Sequence, residues 1–204
     1  DMDNGMRALG AWGWGASRVM DYLQQDVQID KNKVAVIGHS RGGKAALWCG
    51  AQDQRFALVV SSCSGNGGSS LSRRHYGETV KMTTTSFPHW FPPRFSQYSD
   101  REDSLPVDQH ELLALIAPRA VYVGTASEDK WADPLGSFVA LKNAESVYAL
   151  YGIGPLPATV QPAVNVPVFN TALGYHLREG AHNLTRYDWV QYLTFARNHF
   201  KAKK

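Results

Sequence analysis

An α/β fold with a mostly parallel sheet is what this sequence predicts, on three observations. Short apolar runs without alternation recur along it, stretches of helical apolar spacing fall between them, and the helix-then-strand order repeats toward the C-terminus. Residues 6–23 open the series: Leu9, Trp12, Ala16, Val19, Met20 and Leu23 share one helical face, weakened by Gly13 and Gly15. The run Val34 to Ile37 has the continuous apolar character of a strand covered on both faces, and Gly38 is expected to end it. Helical spacing from Gly43 to Cys49 and a second buried strand, Phe56 to Val60, follow.

The same grammar returns after a gap. Leu112 to Ile116 reads as helix, Ala120 to Val123 as strand, Phe138 to Leu150 as mostly helix, and Leu173 to Leu177 as the final strand. A last helix, about Tyr187 to Phe200, opens with Thr185 three residues before Asp188, a carboxylate variant of the capping box. Two segments break the rhythm, 65–108 and 151–167. Loops this long inside a domain are usually functional, and both are expected to follow strand ends, where α/β folds place their sites.

Composition narrows the function classes. The 204 residues carry 21 basic and 18 acidic side chains, a formal net charge of +3, without the basic blocks that grip phosphate backbones, so no nucleic-acid partner is expected. No run approaches the roughly 18 apolar residues of a membrane span, and Asp1-Met2-Asp3-Asn4 has no basic-then-apolar signal pattern. Cys49 and Cys63 are too few for a disulfide scaffold and lack zinc-site spacing; neither metal nor cofactor is expected.

Gly38-His39-Ser40-Arg41-Gly42 satisfies G-x-S-x-G between a predicted buried strand and a helix, where that pattern makes a nucleophile elbow. Glycines let neighbouring chain approach the tight turn while the Ser40 hydroxyl projects above the sheet. A serine hydroxyl is a weak nucleophile until a histidine accepts its proton and a carboxylate holds that histidine's tautomer. In the α/β-hydrolase fold, a three-layer sandwich, acid and histidine follow the serine in that order. Three acids stand after the strand ending at Val123: Asp129 is preferred, then Asp133, then Glu128, and Asp133 also suits helix capping because Pro134 follows it. Among seven histidines, His182 in Gly180-Ala181-His182-Asn183 lies between the last strand and last helix, where this fold delivers its base. His176 and His110 read as core histidines, His199 as a cation in a last helical turn, and His39 as packing beneath the elbow.

Extended to Gly43-Lys44, the elbow resembles that of the glucuronoyl esterases. The likeness continues through Ser64-Gly65-Asn66-Gly67-Gly68, Ser72-Arg73-Arg74, Phe87-Pro88-His89-Trp90-Phe91, Leu105-Pro106-Val107-Asp108-Gln109-His110, Asp129-Lys130-Trp131-Ala132-Asp133-Pro134 and Gly180-Ala181-His182. The resemblance implies hydrolysis of the ester joining glucuronic or 4-O-methylglucuronic acid of xylan to lignin alcohols, in an extracellular or periplasmic setting. It implies Ser40 as nucleophile, His182 as base, Arg41 as oxyanion residue, and Lys44, Glu78 and Trp131 as the sugar-binding set. In many members the triad acid is a glutamate where this sequence has Cys63, so the acid role should fall to Asp129 and Cys63 should fill space near the imidazole. The chain also opens with the helix before the nucleophile strand. Residues 1–204 are therefore read as the C-terminal part of one α/β-hydrolase catalytic domain, whose earlier strands belong to a missing N-terminal part of the same polypeptide. The competing expectations are an acetyl or feruloyl xylan-type esterase, and a carbohydrate-binding relative with impaired catalysis.

Overall fold

Apolar runs that need cover on both faces pair in parallel, because the helices crossing between parallel strands supply that cover. A computed structural model describes residues 5–201. Its strands are β1 (Ala35–His39), β2 (Leu58–Ser62), β3 (Ala120–Ala126), β4 (Val168–Phe169) and β5 (Leu173–Arg178), in the spatial order β1-β2-β3-β5-β4. All neighbours are parallel except β4, which runs antiparallel to β5. Register sets His39 opposite Ser62, Ser62 opposite Gly124, and Gly124 opposite His176. The strands thus finish together, and residues just past their carboxyl ends gather over one edge of the sheet.

The helices are α1 (Ala8–Leu23), α2 (Arg41–Gln52), α3 (Val80–Ser86), α4 (Gln109–Ala114), α5 (Pro134–Ala149) and α6 (Arg186–Lys201). Alternate strand residues point to opposite faces. Val59, Val121, Val123 and Tyr175 therefore pack with Leu47 of α2, Leu113 of α4, and Phe138, Leu141 and Tyr148 of α5. Leu58, Val60, Ala120 and Tyr122 pack on the other face against Tyr192 and Phe195 of α6. Each fully buried Val, Leu or Phe among them contributes about 1.5–3 kcal/mol relative to exposure. The result is the three-layer arrangement expected, with α1 lying on α2 through Met20, Cys49 and Phe56.

Four expectations need correction. β1 runs through Gly38 to His39, since only then does the chain turn. α4 begins at Gln109 rather than near Leu112, because the Asp108 carboxylate accepts from the Gln109 N–H at 2.8 Å and starts the helix early. β4 carries no periodicity over its two residues and went unpredicted; pairing with β5 alone defines it. The segment 151–167 follows α5, not a strand. It covers the core through buried Leu156, whose N–H donates to Glu145, and contributes none of the expected site residues. The segment 65–108 does reach the site, and it is built of 3-10 turns around α3.

Candidate active site

The elbow is assembled by steric necessity. Ser40 sits at φ 58°, ψ −127°, a conformation L-residues rarely adopt, and its N–H donates to the Ser62 carbonyl at 2.8 Å, locking the turn to the adjacent strand. The chain folds back so closely that a Cβ at Gly38 would lie 1.9 Å from the Gly42 carbonyl oxygen. Glycine at 38 is therefore a requirement of the turn. Ser40 stands immediately before α2, so the N–H of Arg41, the first helical residue, has no partner inside the helix and is left for an incoming oxygen. The Arg41 guanidinium rests over two aromatic rings, 5.1 Å from the Trp90 centroid and 5.5 Å from that of Phe87.

His182 comes from the loop after β5 and Asp129 from the loop after β3. Backbone bonds join the two loops: Ser127 N–H donates to the Arg178 carbonyl at 2.8 Å and Glu128 N–H to the Gly180 carbonyl at 3.0 Å. So held, His182 Nδ1 lies 2.7 Å from an Asp129 carboxylate oxygen. That bond raises the His182 pKa above its ordinary value, opposed by partial burial and by the Arg178 charge. The imidazole stands beside His39, the residue before the serine, with ring centroids 4.7 Å apart. Burial, then the neighbouring His182, push the His39 pKa down, and its Nδ1 is 3.2 Å from the Ser62 hydroxyl. Of the other two acids, Asp133 caps α5 through the Gly136 N–H at 2.9 Å and pairs with Arg74 at 2.8 Å, while Glu128 gives its backbone to the loop junction.

Lys44 and Glu78 meet one another. Their ammonium and carboxylate groups lie 2.6 Å apart, with side chains 3% and 5% exposed, and Lys44 also donates to the Asn66 carbonyl. Burial pushes the Lys44 pKa down, and Glu78 works against that shift. Gly65, at φ +59°, makes room, since a Cβ there would stand 3.0 Å from the Glu78 carboxylate. Glu78 N–H donates to the Trp131 carbonyl at 2.8 Å, which carries the half-exposed indole to the rim of the same site. Trp90, buried, is the plate on which Arg41 and Lys44 both rest, the latter 5.7 Å from its centroid. The sequence marked Trp90 only as part of an aromatic run.

Cys63 follows β2 directly and is buried. Its sulfur, an Asp129 oxygen and a His182 nitrogen all lie within 4.8 Å of one another, the one such grouping of potential metal ligands among the described residues. Burial and the Asp129 charge push its thiol up to about 12. In that state the thiol is neutral and fills space beside the imidazole. Both cysteines are free thiols.

Behind the histidine loop lies a buried group that sequence reasoning missed in part. The capping box was legible, and Asp188 accepts from the Thr185 N–H and hydroxyl at 2.7 Å each. Asp188 also accepts from Arg178 Nε at 2.9 Å and lies 2.9 Å from His176 Nε2. Burial alone would raise the Asp188 pKa; the bonds from His176 and Thr185 outweigh it and hold the carboxyl at about 2. Only an arginine at the very end of an otherwise buried strand could have signalled this.

A mostly parallel sheet flanked by helices on both faces, a strained serine between β1 and α2, and a histidine–aspartate pair over the strand ends define the α/β-hydrolase fold. The family model described as "Glucuronyl esterase, fungi" matches residues 2–152. Carbohydrate esterase MZ0003, from an unknown prokaryotic organism, is 55% identical over 191 residues, covering 94% of this chain and 44% of its own. The 4-O-methyl-glucuronoyl methylesterase 1 of Wolfiporia cocos is 36% identical over 163 residues, 76% of this chain and 40% of its own. Among solved structures, a promiscuous CE15 esterase from the marine bacterial metagenome superposes with a TM-score of 0.95 at 53% identity, covering 97% of this chain and 50% of that one. The chain belongs to the glucuronoyl esterase family, carbohydrate esterase family 15. It spans about half the length of the relatives it matches.

Proposed function

We propose that this chain carries the catalytic residues of a serine carboxylester hydrolase acting on esters of glucuronic or 4-O-methylglucuronic acid in glucuronoxylan with lignin alcohols. The Ser40 Oγ attacks the uronate carbonyl as His182 Nε2 takes its proton, while Asp129 holds Nδ1–H and stabilises the imidazolium. Charge developing on the carbonyl oxygen meets the Arg41 N–H and guanidinium, each good donor contributing about 3 kcal/mol in such a site. His182 then returns its proton to the departing alcohol, and water, activated by the same imidazole, releases the uronic acid from Ser40. Lys44 has three N–H donors; Glu78 and the Asn66 carbonyl take two, leaving a third for a sugar hydroxyl. Glu78 accepts from another hydroxyl, and the Trp131 ring flanks the sugar.

The single observation that carries this reading is the 2.7 Å His182–Asp129 bond at the elbow of Ser40, beside a buried Lys44–Glu78 pair that an ordinary acyl ester has no use for. Kinetics of the whole protein on benzyl glucuronate, an aryl acetate and a feruloyl ester test it. Preference for the glucuronate, lost in Ser40→Ala, is the expected result; preference for the acetate or ferulate assigns an acetyl- or feruloyl-esterase activity instead. Labelling by a fluorophosphonate separates a working serine from a carbohydrate-binding relative. We also propose that a preceding part of the same polypeptide completes the sheet. β1 lies at one edge of the strand order, the relatives are longer, and an apolar cleft of about 940 Å³ beside α1 exposes Met6, Trp14 and Trp48. With a polymer as substrate, an extracellular or periplasmic setting follows.

A further inference from the structure

We infer that Arg178 is a positioning residue for the catalytic base: its guanidinium, fixed by Asp188, clamps the backbone of the loop that presents His182. The inference rests on the serine-hydrolase reading above. Residues 179–185 form no helix or strand, so their carbonyls must find other donors. On the side facing Asp129, the Gly180 carbonyl is taken by the Glu128 N–H. On the other side, one guanidinium takes three more: Arg178 Nη1 donates to the Glu179 carbonyl at 2.8 Å, and Nη2 donates to those of Ala181 at 2.8 Å and Asn183 at 2.5 Å. The last two flank His182 directly.

The clamp is itself anchored. Arg178 is 3% exposed and ends β5, so its Cα is fixed by the sheet. Its Nε donates to Asp188, which is fully buried in the first turn of α6 and tied to Thr185 and His176. A planar fork with five donors suits this geometry, because it can hold one carboxylate and several carbonyls in a plane; an ammonium on a flexible stem cannot. The His182 side chain is 42% exposed, so packing alone does not fix the ring. Its angle to Ser40 is then set by the Asp129 bond together with its own backbone, and the backbone is held by Arg178 and the Glu128 junction.

Two variants of the full-length protein test this. Arg178→Lys keeps the charge opposite Asp188 and removes the fork. The double variant Arg178→Met with Asp188→Asn removes both charges of the buried pair together, so that neither is left buried without its partner. On benzyl glucuronate, each should lose about 10²-fold in kcat with KM changed less than about threefold, as displacement of a catalytic group by about 1 Å would produce. Fluorophosphonate labelling of Ser40, which does not use the sugar pocket, should slow in parallel. A folded variant of either kind with wild-type kcat and labelling rate overturns the inference, as does a loss confined to KM. Should Arg178→Lys fail to fold, the double variant decides by the same criteria. The two readings fail separately: a wild-type protein that labels rapidly but ignores glucuronate esters refutes the substrate and leaves the clamp intact.

Discussion

Replacing Asp129 by asparagine probes the pairing on which the proposed mechanism turns. The change keeps shape and volume but removes the charge from a 2.7 Å contact with His182 Nδ1. An amide cannot stabilise the imidazolium that forms as Ser40 attacks, and its NH2 can face the ring and favour the tautomer with the proton on Nε2, where the serine's proton must go. Loss of a carboxylate in this role lowers kcat by roughly 10³–10⁴-fold, or about 4–5.5 kcal/mol at 1.36 kcal/mol per decade. The pH profile supplies an independent check. The Asp129 bond is the largest cause of the raised His182 pKa, with burial and Arg178 opposing and the Asp129 and Glu78 charges assisting. Without it the imidazole pKa falls, so the acidic limb of kcat/KM moves to lower pH while its plateau drops. In the native protein a raised histidine pKa contributes stability below the unfolded value of about 6.5 that fades as pH rises through the folded value, so Asp129→Asn should also reduce stability more at pH 5 than at pH 8. Steady-state kinetics from pH 4 to 9 on benzyl glucuronate, with urea melts at the two pH values, measure all three. A kcat within tenfold of wild type, or an acidic limb that moves upward, would refute the assignment of Asp129.

Lys44→Met leaves the Glu78 carboxylate buried without its partner and should cost about 3–5 kcal/mol in urea unfolding, most of it recovered in Lys44→Met with Glu78→Gln; an unchanged midpoint in the single variant would contradict the buried pair. Gly38→Ala drives a Cβ to 1.9 Å from backbone at Gly42 and should destabilise by about 4 kcal/mol or more with complete loss of turnover, and a folded, active variant would show that the elbow is built otherwise. Cys63→Glu, introduced into the inactive Asp129→Asn background, should restore at least about tenfold in kcat, because the cysteine sulfur already lies within 4.8 Å of the His182 nitrogen; no recovery in a folded double variant would mean that position 63 cannot reach the ring.

Legibility in the sequence followed the range of the interactions involved. Strands such as Val121 to Val123 and helices such as α2 announce themselves because local apolar spacing and burial coincide in them. The expectation of Ser40, His182 and Asp129 rests on each sitting just past a readable strand, and the structure brings His182 and Asp129 to 2.7 Å. The boundary of α4 was misplaced because a single side chain, Asp108, decides it. β4 has no signal of its own, and the segment 151–167 looked functional because composition does not distinguish a loop that covers a core from one that covers a site. Lys44 read as sugar-binding from resemblance alone; that its charge meets Glu78 in the interior depends on Gly65 and the 77–78 to 131 pairing, contacts between residues far apart in sequence. Arg178 was invisible for the same reason, since its three carbonyl partners become a cluster only after the loop has folded over it.

The expectation that Asp129, and not Cys63, partners the imidazole has a simple geometric basis in the structure. β3 lies between β2 and β5 in the sheet, and Cys63 N–H donates to the Gly124 carbonyl at 2.8 Å, so the residue after β2 is drawn toward β3. The histidine, carried in from β5, hangs above the end of β3. Asp129, from the loop following β3, meets its Nδ1 at 2.7 Å, and the Cys63 sulfur, following β2, lies within 4.8 Å of a ring nitrogen. Only one negative charge is wanted there: two carboxylates this close would repel, and one would hold a proton at neutral pH. A neutral thiol at 63, with its pKa pushed up to about 12, fills the position after β2 without competing for the imidazole, and the charge at 129 is left to act alone. In the proposed mechanism the base is thus met by one carboxylate only, the one that the loop following β3 supplies.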